Sequence, residues 1–147
     1  MARRLVNLCI HWETDVAASS QFDKTWTITP RQMNVKRFKL LGWKIDRIET
    51  AGEGSDGSGI EVYFGKNQDG KGPFLDAIQF GERFLGGGGL VYTGGGKVVP
   101  VENCFTYPEP IPFDADDSLY IFTTWINKGG SAARYELHLT IFLEVED

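Results

Sequence analysis

Cysteine and histidine are scarce in this sequence of 147 residues, which contains two of each. Cys9 and Cys104 both lie in apolar, strand-like segments, so we expect reduced, buried thiols and no disulfide framework. The two histidines, His11 and His138, are too few for the metal cradle of a cupin-type β-barrel enzyme. The sequence therefore argues against a disulfide scaffold and against a metal enzyme.

Long apolar runs and an excess of positive charge are also missing. No run approaches the roughly 18 residues that cross a bilayer, so we expect no membrane span. Asn7, His11 and Glu13 interrupt the apolar segment after the basic start, so we expect no signal peptide and synthesis in the cytoplasm. The net charge is −5. Nucleic-acid-binding proteins need a basic surface, so we expect no nucleic-acid partner.

Motifs for nucleotide binding and catalysis fail on inspection. The glycine-rich stretch at 83–97, RFLGGGGLVYTGGGK, has Val91 and Val98 where a phosphate loop needs a glycine and a hydroxyl. The glycine spacing of a dinucleotide fold occurs at 52–57, but a strand-like segment follows instead of a helix. There is no Gly-x-Ser-x-Gly elbow. We therefore expect no cofactor, no catalytic residues and no enzyme, and we interpret the glycines at 86–89 and 94–96 as loops.

Alternating apolar and polar residues are the dominant pattern that remains. The apolar positions at the two ends of the chain fall on one face each, which predicts half-buried terminal strands. These positions are Val6, Leu8, Ile10 and Trp12 in the first segment, and Tyr135, Leu137, Leu139, Ile141, Leu143 and Val145 in the last.

Six further segments, starting at Lys24, Arg37, Gly59, Gly88, Gly96 and Ser118, are rich in β-branched and aromatic residues and are also predicted to be strands. In the second of them the apolar parity shifts between Ile45 and Ile48, which predicts a β-bulge near Asp46 and Arg47. Turn-forming segments such as the one at 107–117 separate the strands. About eight strands in this arrangement indicate a single all-β domain over residues 1–147, a sandwich or a barrel, with at most one short helix near 73–85.

Two groups of residues could bind a cation. Asp114, Asp116 and Asp117 are close together, but we favour a turn in which a carboxylate caps backbone N–H groups over a calcium site. His11 and His138 lie on the polar faces of the terminal strands and could approach Cys9 if those strands are neighbours. Three alternating positions of a sheet rarely give tetrahedral geometry, so we expect no metal there and interpret this face as exposed or as an interface.

Aromatic residues are the other candidates for binding. Three tryptophans lie in apolar segments and are predicted to belong to the core: Trp12, Trp43 and Trp125. Trp26, Tyr92, Phe105 and Tyr107 lie nearer to predicted loops, where aromatic rings can stack on sugars or anchor a protein partner. We take Trp26, Tyr92 and Tyr107 as candidate contacts for a ligand or partner.

The last third of the chain, PIPFDADDSLYIFTTWINKGGSAARYELHLTIFLEVED, resembles the closing strands of single jelly-roll virion proteins of bacteriophages and related viruses, such as minor capsid, penton and spike-base proteins. The resemblance implies an eight-stranded antiparallel β-sandwich in which the first and last strands pair.

The same resemblance implies a non-enzymatic virion protein that works by assembly. Its partners would be copies of itself, as a trimer or pentamer, and other virion proteins. Asn7, His11 and His138 are the candidate assembly face. The alternative is a carbohydrate-binding or host-receptor-binding module of the same fold.

Overall fold

A computed structural model describes residues 2–51, 58–67, 84–93, 97–100 and 103–147. Within these ranges, the side chains of residues 47–51, 84, 90–93 and 97–100 lie outside the description. The described residues form nine β-strands and no helix. The strands are β1 (Arg3–Val16), β2 (Ser20–Ile28), β3 (Arg37–Ala51), β4 (Gly59–Lys66), β5 (Phe84–Thr93), β6 (Lys97–Pro100), β7 (Cys104–Phe113), β8 (Leu119–Asn127) and β9 (Ala133–Glu146).

These strands build two antiparallel sheets, ordered β1-β9-β3-β7 and β2-β8-β4-β5-β6. The early strands pair with the late ones in reverse order, as β1·β9, β2·β8, β3·β7 and β4·β5. A long hairpin that rolls up into two sheets in this way is a jelly roll. The predicted all-β sandwich is therefore confirmed, and the short strand β6 extends the edge of the second sheet beyond the eight jelly-roll strands.

The two terminal strands lie side by side, as the resemblance implied, with β9 hydrogen-bonded to β1 on one side and to β3 on the other. The predicted inward face of β9 is confirmed, because all six of its apolar residues are at most 2% exposed. They pack against inward residues of both sheets, among them Leu40, Trp43, Ile121 and Trp125. The predicted core tryptophans Trp43 and Trp125 are 1% and 0% exposed.

Strand β3 contains the predicted β-bulge. Its register with β9 shifts between Ile45 and Arg47, so Asp46 is the extra residue. A second register shift, which the sequence analysis did not predict, makes Leu41 the extra residue before Gly42. The bulge at Leu41 lets β3 keep both Leu40 and Trp43 on the core side although the parity of its apolar residues changes between them.

The segment at 107–117 was predicted to be a turn, and this was wrong for Tyr107–Phe113, which belong to β7. The turn was predicted from the three prolines of this segment, because proline is rare inside sheets. They are Pro108, Pro110 and Pro112. Strand β7 lies at the edge of its sheet, and an edge strand tolerates proline since the missing N–H takes no ladder hydrogen bond.

The glycine-rich stretch was also misassigned in part. Residues 86–89 lie within β5 and pair with β4, whereas 94–96 lie outside the described residues. Gly89 has a φ of +147°, and a Cβ there would clash with the carbonyl of Ile60. Glycine at this position lets the backbone of β5 approach the backbone of β4 closely. The helix predicted near 73–85 falls outside the described residues except for Phe84 and Leu85, which begin β5.

Both cysteines are free, as predicted, but the prediction that they are buried was wrong, because both are exposed. Cys9 lies on the outward face of β1 and Cys104 begins β7, and these strands form opposite edges of the same sheet. Their positions at the periphery explain the exposure. In the part of the chain that the structure describes, no helix has the length and apolar character needed to cross a membrane.

Candidate assembly surface

Strand β1 is the long free edge of the first sheet. It pairs with β9 over its whole length of 14 residues without a register shift, and no strand of the described sheets pairs with its other side. Its outer edge therefore presents a row of backbone N–H and C=O groups that can pair with another chain.

The other sheet edges carry features that hinder such pairing. β2 has the charged Lys24 on the same side of the strand as Phe22 and Trp26, which pack against the core. β7 contains three prolines and a register shift, and β6 has only four residues, including Lys97 and Pro100. The central part of β1, residues 5–12, contains no lysine, proline, arginine or carboxylate. Among the edges of the described sheets, β1 is thus the least protected against strand pairing.

The predicted assembly residues lie together on the outward side of β1 and β9, here called the outer face. His11 is the register partner of His138, and their imidazole rings stack with centroids 4.1 Å apart. Asn7 is exposed on the same side of β1, opposite Phe142. Leu5, which the sequence analysis did not single out, is 73% exposed at the same edge.

Two glutamates join the histidine pair. Oε1 of Glu136 lies 3.2 Å from Nε2 of His11 and 2.5 Å from Nε2 of His138. Oε1 of Glu13 lies 3.1 Å from Nε2 of His11, and its Oε2 accepts a 2.7 Å hydrogen bond from Arg134. Hydrogen bonds from Arg134 and His11 lower the pKa of Glu13 below its ordinary value. The result is a connected cluster of charged and titratable groups on the outer face.

Sequence reasoning proposed Cys9 as the third neighbour of the histidines and missed Glu136. In the register of β1 and β9, Cys9 lies opposite Thr140. This pair is the next one along the same face of the sheet after the histidine pair. His11, Glu136 and His138 have potential metal-ligating atoms within 4.8 Å of one another. The signal was available, because Glu136 precedes His138 by two residues and so shares its side of the strand.

The candidate aromatic contacts are scattered. Trp26 lies in β2, two residues before the strand ends, with its ring edge-on to Trp12 at a centroid distance of 6.1 Å. Lys24 Nζ lies 4.5 Å from the centroid of the Trp12 ring, a cation–π contact. Both indoles are half-buried where the edges β1 and β2 meet, so Trp12 is only partly in the core.

The two candidate tyrosines lie elsewhere. Tyr107 on β7 is half-buried, and its hydroxyl donates to the carbonyl of Leu85. Burial raises its pKa to about 12, against a smaller opposing effect of the Trp43 indole. The backbone of Tyr92 lies in β5, but its side chain is outside the described residues. Trp26 and Tyr107 therefore do not form one site.

The aspartate-rich segment forms the predicted capping turn. Oδ2 of Asp117 accepts a 2.8 Å hydrogen bond from the backbone N–H of Asp114. Arg31 donates two hydrogen bonds, of 2.8 and 3.1 Å, to the carboxylate of Asp116. Asn67 donates a 2.8 Å bond to Asp117. These partners lower the pKa of both Asp116 and Asp117, and they tie the segment to the loops around it.

The fold and this surface define a class of protein: a single jelly-roll sandwich with a long unprotected edge strand and a polar outer face. No protein-family model and no curated protein matches the sequence.

Among solved structures, the chain is similar to the decameric BFDV capsid protein, with 11% identity, a TM-score of 0.44 and coverage of 99% of this chain and 100% of the other. It is similar to the structure of the infectious bursal disease virus Gx strain, with 8% identity, a TM-score of 0.40 and coverage of 99% and 32%. It is also similar to the nucleoplasmin-like N-terminal domain of Drosophila FKBP39, with 11% identity, a TM-score of 0.31 and coverage of 95% and 90%. At such identities and scores, function does not transfer from these proteins to this chain.

Proposed function

We propose that this chain is a non-enzymatic structural subunit of a virus particle that assembles with copies of itself through the edge of β1. The observation that carries the proposal is the 14-residue β1 edge, which within the described sheets is paired on one side only and lacks protective charges or prolines in its central part. A monomer that exposes such an edge risks uncontrolled pairing, whereas a subunit that buries it in an assembly does not.

The viral part of the proposal rests on the fold and on the closing strands of the sequence. Jelly rolls occur in viral capsids, lectins and cupins, so the fold alone leaves several classes open. The resemblance of the last third to jelly-roll virion proteins favours the first class, and the absence of recognisable catalytic motifs from the sequence disfavours the enzymes. Location in the virion and contacts with other virion proteins follow from the same proposal.

A trimer or pentamer requires head-to-tail contacts, in which a surface other than β1 covers the β1 edge and the outer face of the neighbouring copy, whereas pairing of two β1 edges would give a two-fold dimer. The head-to-tail interface would bury Leu5 together with Asn7, His11 and His138.

The test is the molar mass of the purified chain at several concentrations, by light scattering and sedimentation equilibrium. We expect a closed oligomer of the full chain, and we expect the double variant L5K/N7K to shift it towards monomer because it adds like charges along the edge. Phe105→Lys is the matched control, since Phe105 is the other exposed large apolar residue among the described side chains and lies on β7. A full chain that stays monomeric at high concentration, or that dissociates with Phe105→Lys but not with the double variant, would contradict the proposal.

A second candidate function is the recognition of a sugar or a host receptor, and the half-buried pair of Trp12 and Trp26 is the observation that favours it. Partly exposed indoles can stack on sugar rings, and Lys24 beside them could hydrogen-bond to hydroxyls. Glycan-array binding by the wild type that Trp26→Ala abolishes would support this candidate. Tyr107→Ala tests the remote tyrosine in the same way, and a wild type that binds no glycan argues against sugar recognition.

A further inference from the structure

We propose that His11, Glu136 and His138 form a binding site for a divalent transition-metal ion such as Zn²⁺ on the outer face. The Nε2 atoms of both histidines converge on Oε1 of Glu136, at 3.2 Å for His11 and 2.5 Å for His138. The three ligand atoms lie within 4.8 Å of one another. A tetrahedral zinc ion with ligands at about 2.0–2.2 Å needs donor atoms roughly 3.3 Å apart. The two imidazole rings are stacked, with their planes inclined by 18°, so at least one ring must rotate out of the stack to direct its in-plane Nε2 lone pair at the ion.

The sheet itself sets this arrangement. His138 and Glu136 are two residues apart on β9 and therefore project from the same side, while His11 is directly opposite His138 on β1. Side chains at directly opposite positions of an antiparallel pair have Cβ atoms about 5 Å apart. The backbone of two hydrogen-bonded strands thus holds the three ligands together without a loop.

The donor atoms select the kind of ion. Two imidazole nitrogens and one carboxylate oxygen suit Zn²⁺ and Cu²⁺, whereas Ca²⁺ and Mg²⁺ prefer oxygen ligands alone. Three protein ligands leave a fourth position for water or for a group from another molecule. The His11 side chain is 52% exposed, so the site is open to solvent and to an entering ion.

The surroundings also favour a cation. Glu13 lies next to His11 and Asp15 lies near Arg134, so the described side chains around the site carry three carboxylates, with Glu136 among them, and one guanidinium. Arg134 donates a hydrogen bond to Oε2 of Glu13, and Oε1 of the same carboxylate lies beside His11. Glu13 contacts the same Nε2 atom of His11 that would bind the ion, so it adds negative charge beside the ion.

The test is calorimetric titration of the full chain, made metal-free by dialysis, with Zn²⁺ and separately with Ca²⁺. We expect one equivalent of Zn²⁺ per chain and no binding of Ca²⁺ at the same concentration. The chain contains only two histidines, so long-range ¹H–¹⁵N spectra of the imidazoles report the site directly. The Nε2 resonances of both should shift on Zn²⁺ addition and stop shifting at one equivalent.

Variants separate these ligands from adventitious binding. Loss of an outer-shell partner of a metal site weakens metal binding by roughly 10- to 100-fold. His138→Ala and Glu136→Gln each remove a direct ligand, so each should weaken Zn²⁺ binding by at least that factor. Cys9→Ser and Asp46→Asn are controls that remove the nearby thiol and another carboxylate of the first sheet, and both should bind like the wild type. Near-ultraviolet circular dichroism of each metal-free variant establishes that it is folded.

The three ligands belong to one chain, but the proposed assembly would cover His11 and His138, so the titration is also made on the dissociated L5K/N7K variant. Binding of one equivalent by this variant supports the site whether or not the assembly forms. Absence of stoichiometric Zn²⁺ binding in both proteins would overturn the proposal, as would wild-type affinity in both ligand variants or loss of binding with Cys9→Ser.

Discussion

The indole of Trp43 on β3 stacks on the ring of Phe64 on β4, with centroids 4.7 Å apart and planes inclined by 21°. Both residues are 1% exposed. Since β3 and β4 belong to different sheets, this contact ties the two layers of the sandwich together at a point where both side chains are fully desolvated. Aromatic stacking of this kind stabilises beyond the area that it buries.

Phe64→Ala should therefore lower the free energy of unfolding by about 3–5 kcal/mol, because it leaves a cavity beneath Trp43 that the sheets cannot close. Phe105→Ala, at a site that is 42% exposed, should change it by no more than about 0.5 kcal/mol. Urea unfolding followed by tryptophan fluorescence measures both. Equal stabilities of the two variants would show that the inter-sheet contact contributes little.

Gly89 in β5 and Gly130 between β8 and β9 provide a test and a control for the effect of an added methyl group. Gly89→Ala places a methyl group against the Ile60 carbonyl at a φ of +147°, so it should destabilise the fold by more than about 1 kcal/mol. Gly130 has no atom within 4 Å of an added Cβ, so Gly130→Ala should be neutral or slightly stabilising. Thermal unfolding compares them, and a Gly89→Ala protein as stable as the wild type would contradict the pairing of β4 with β5.

Acid should destabilise the chain through its ion-paired carboxylates. Arg134, Arg31 and Arg4 lower the pKa of Glu13, Asp116 and Asp147, respectively. In this case the unfolded chain binds more protons than the folded chain, so the contribution is present at neutral pH and is lost as pH falls. The loss should begin near the ordinary values of 4.5 for Glu13 and 3.8 for the aspartates and continue below them.

Denaturant unfolding at a series of acidic pH values measures this dependence. Arg134→Gln should flatten it, and added salt should weaken it because the pairs are exposed. A profile of Arg134→Gln identical to that of the wild type would indicate that the Glu13 pair does not contribute.

Alkali should destabilise the chain through Tyr107. Its pKa rises from 10.0 to about 12 in the fold, chiefly because the hydroxyl is buried. The unfolded chain therefore loses its proton first, and stability should decline as pH rises from 10 through 12. Absorbance titration should show Tyr107 ionising late, together with Tyr63, whose pKa is also raised.

Tyr107→Phe isolates this contribution. It should remove part of the alkaline decline, and at neutral pH it should cost about 1–3 kcal/mol because the carbonyl of Leu85 loses its donor. An alkaline profile that the substitution leaves unchanged would exclude Tyr107 as the cause.

Alternation along the chain was sufficient to predict the terminal strands and the inward face of β9, since a strand must bury one face and expose the other. It also predicted the bulge at Asp46, because an extra residue is what restores the apolar side after a change of parity. It failed at β7, where Pro112 is acceptable because the strand is an edge, and where Pro108 and Pro110 lie in a stretch without register partners on β3. Edge position depends on the order of strands in the sheet, which periodicity does not encode.

The candidate surface shows the same division. The residues themselves established that His11 and His138 lie on the polar sides of their strands. That they stack with Glu136 between their nitrogens depends on the register of β1 against β9, and this register is fixed by hydrogen bonds between segments at opposite ends of the chain. Periodicity of two determines which side of a strand a residue occupies, but only tertiary pairing determines which residue lies opposite it.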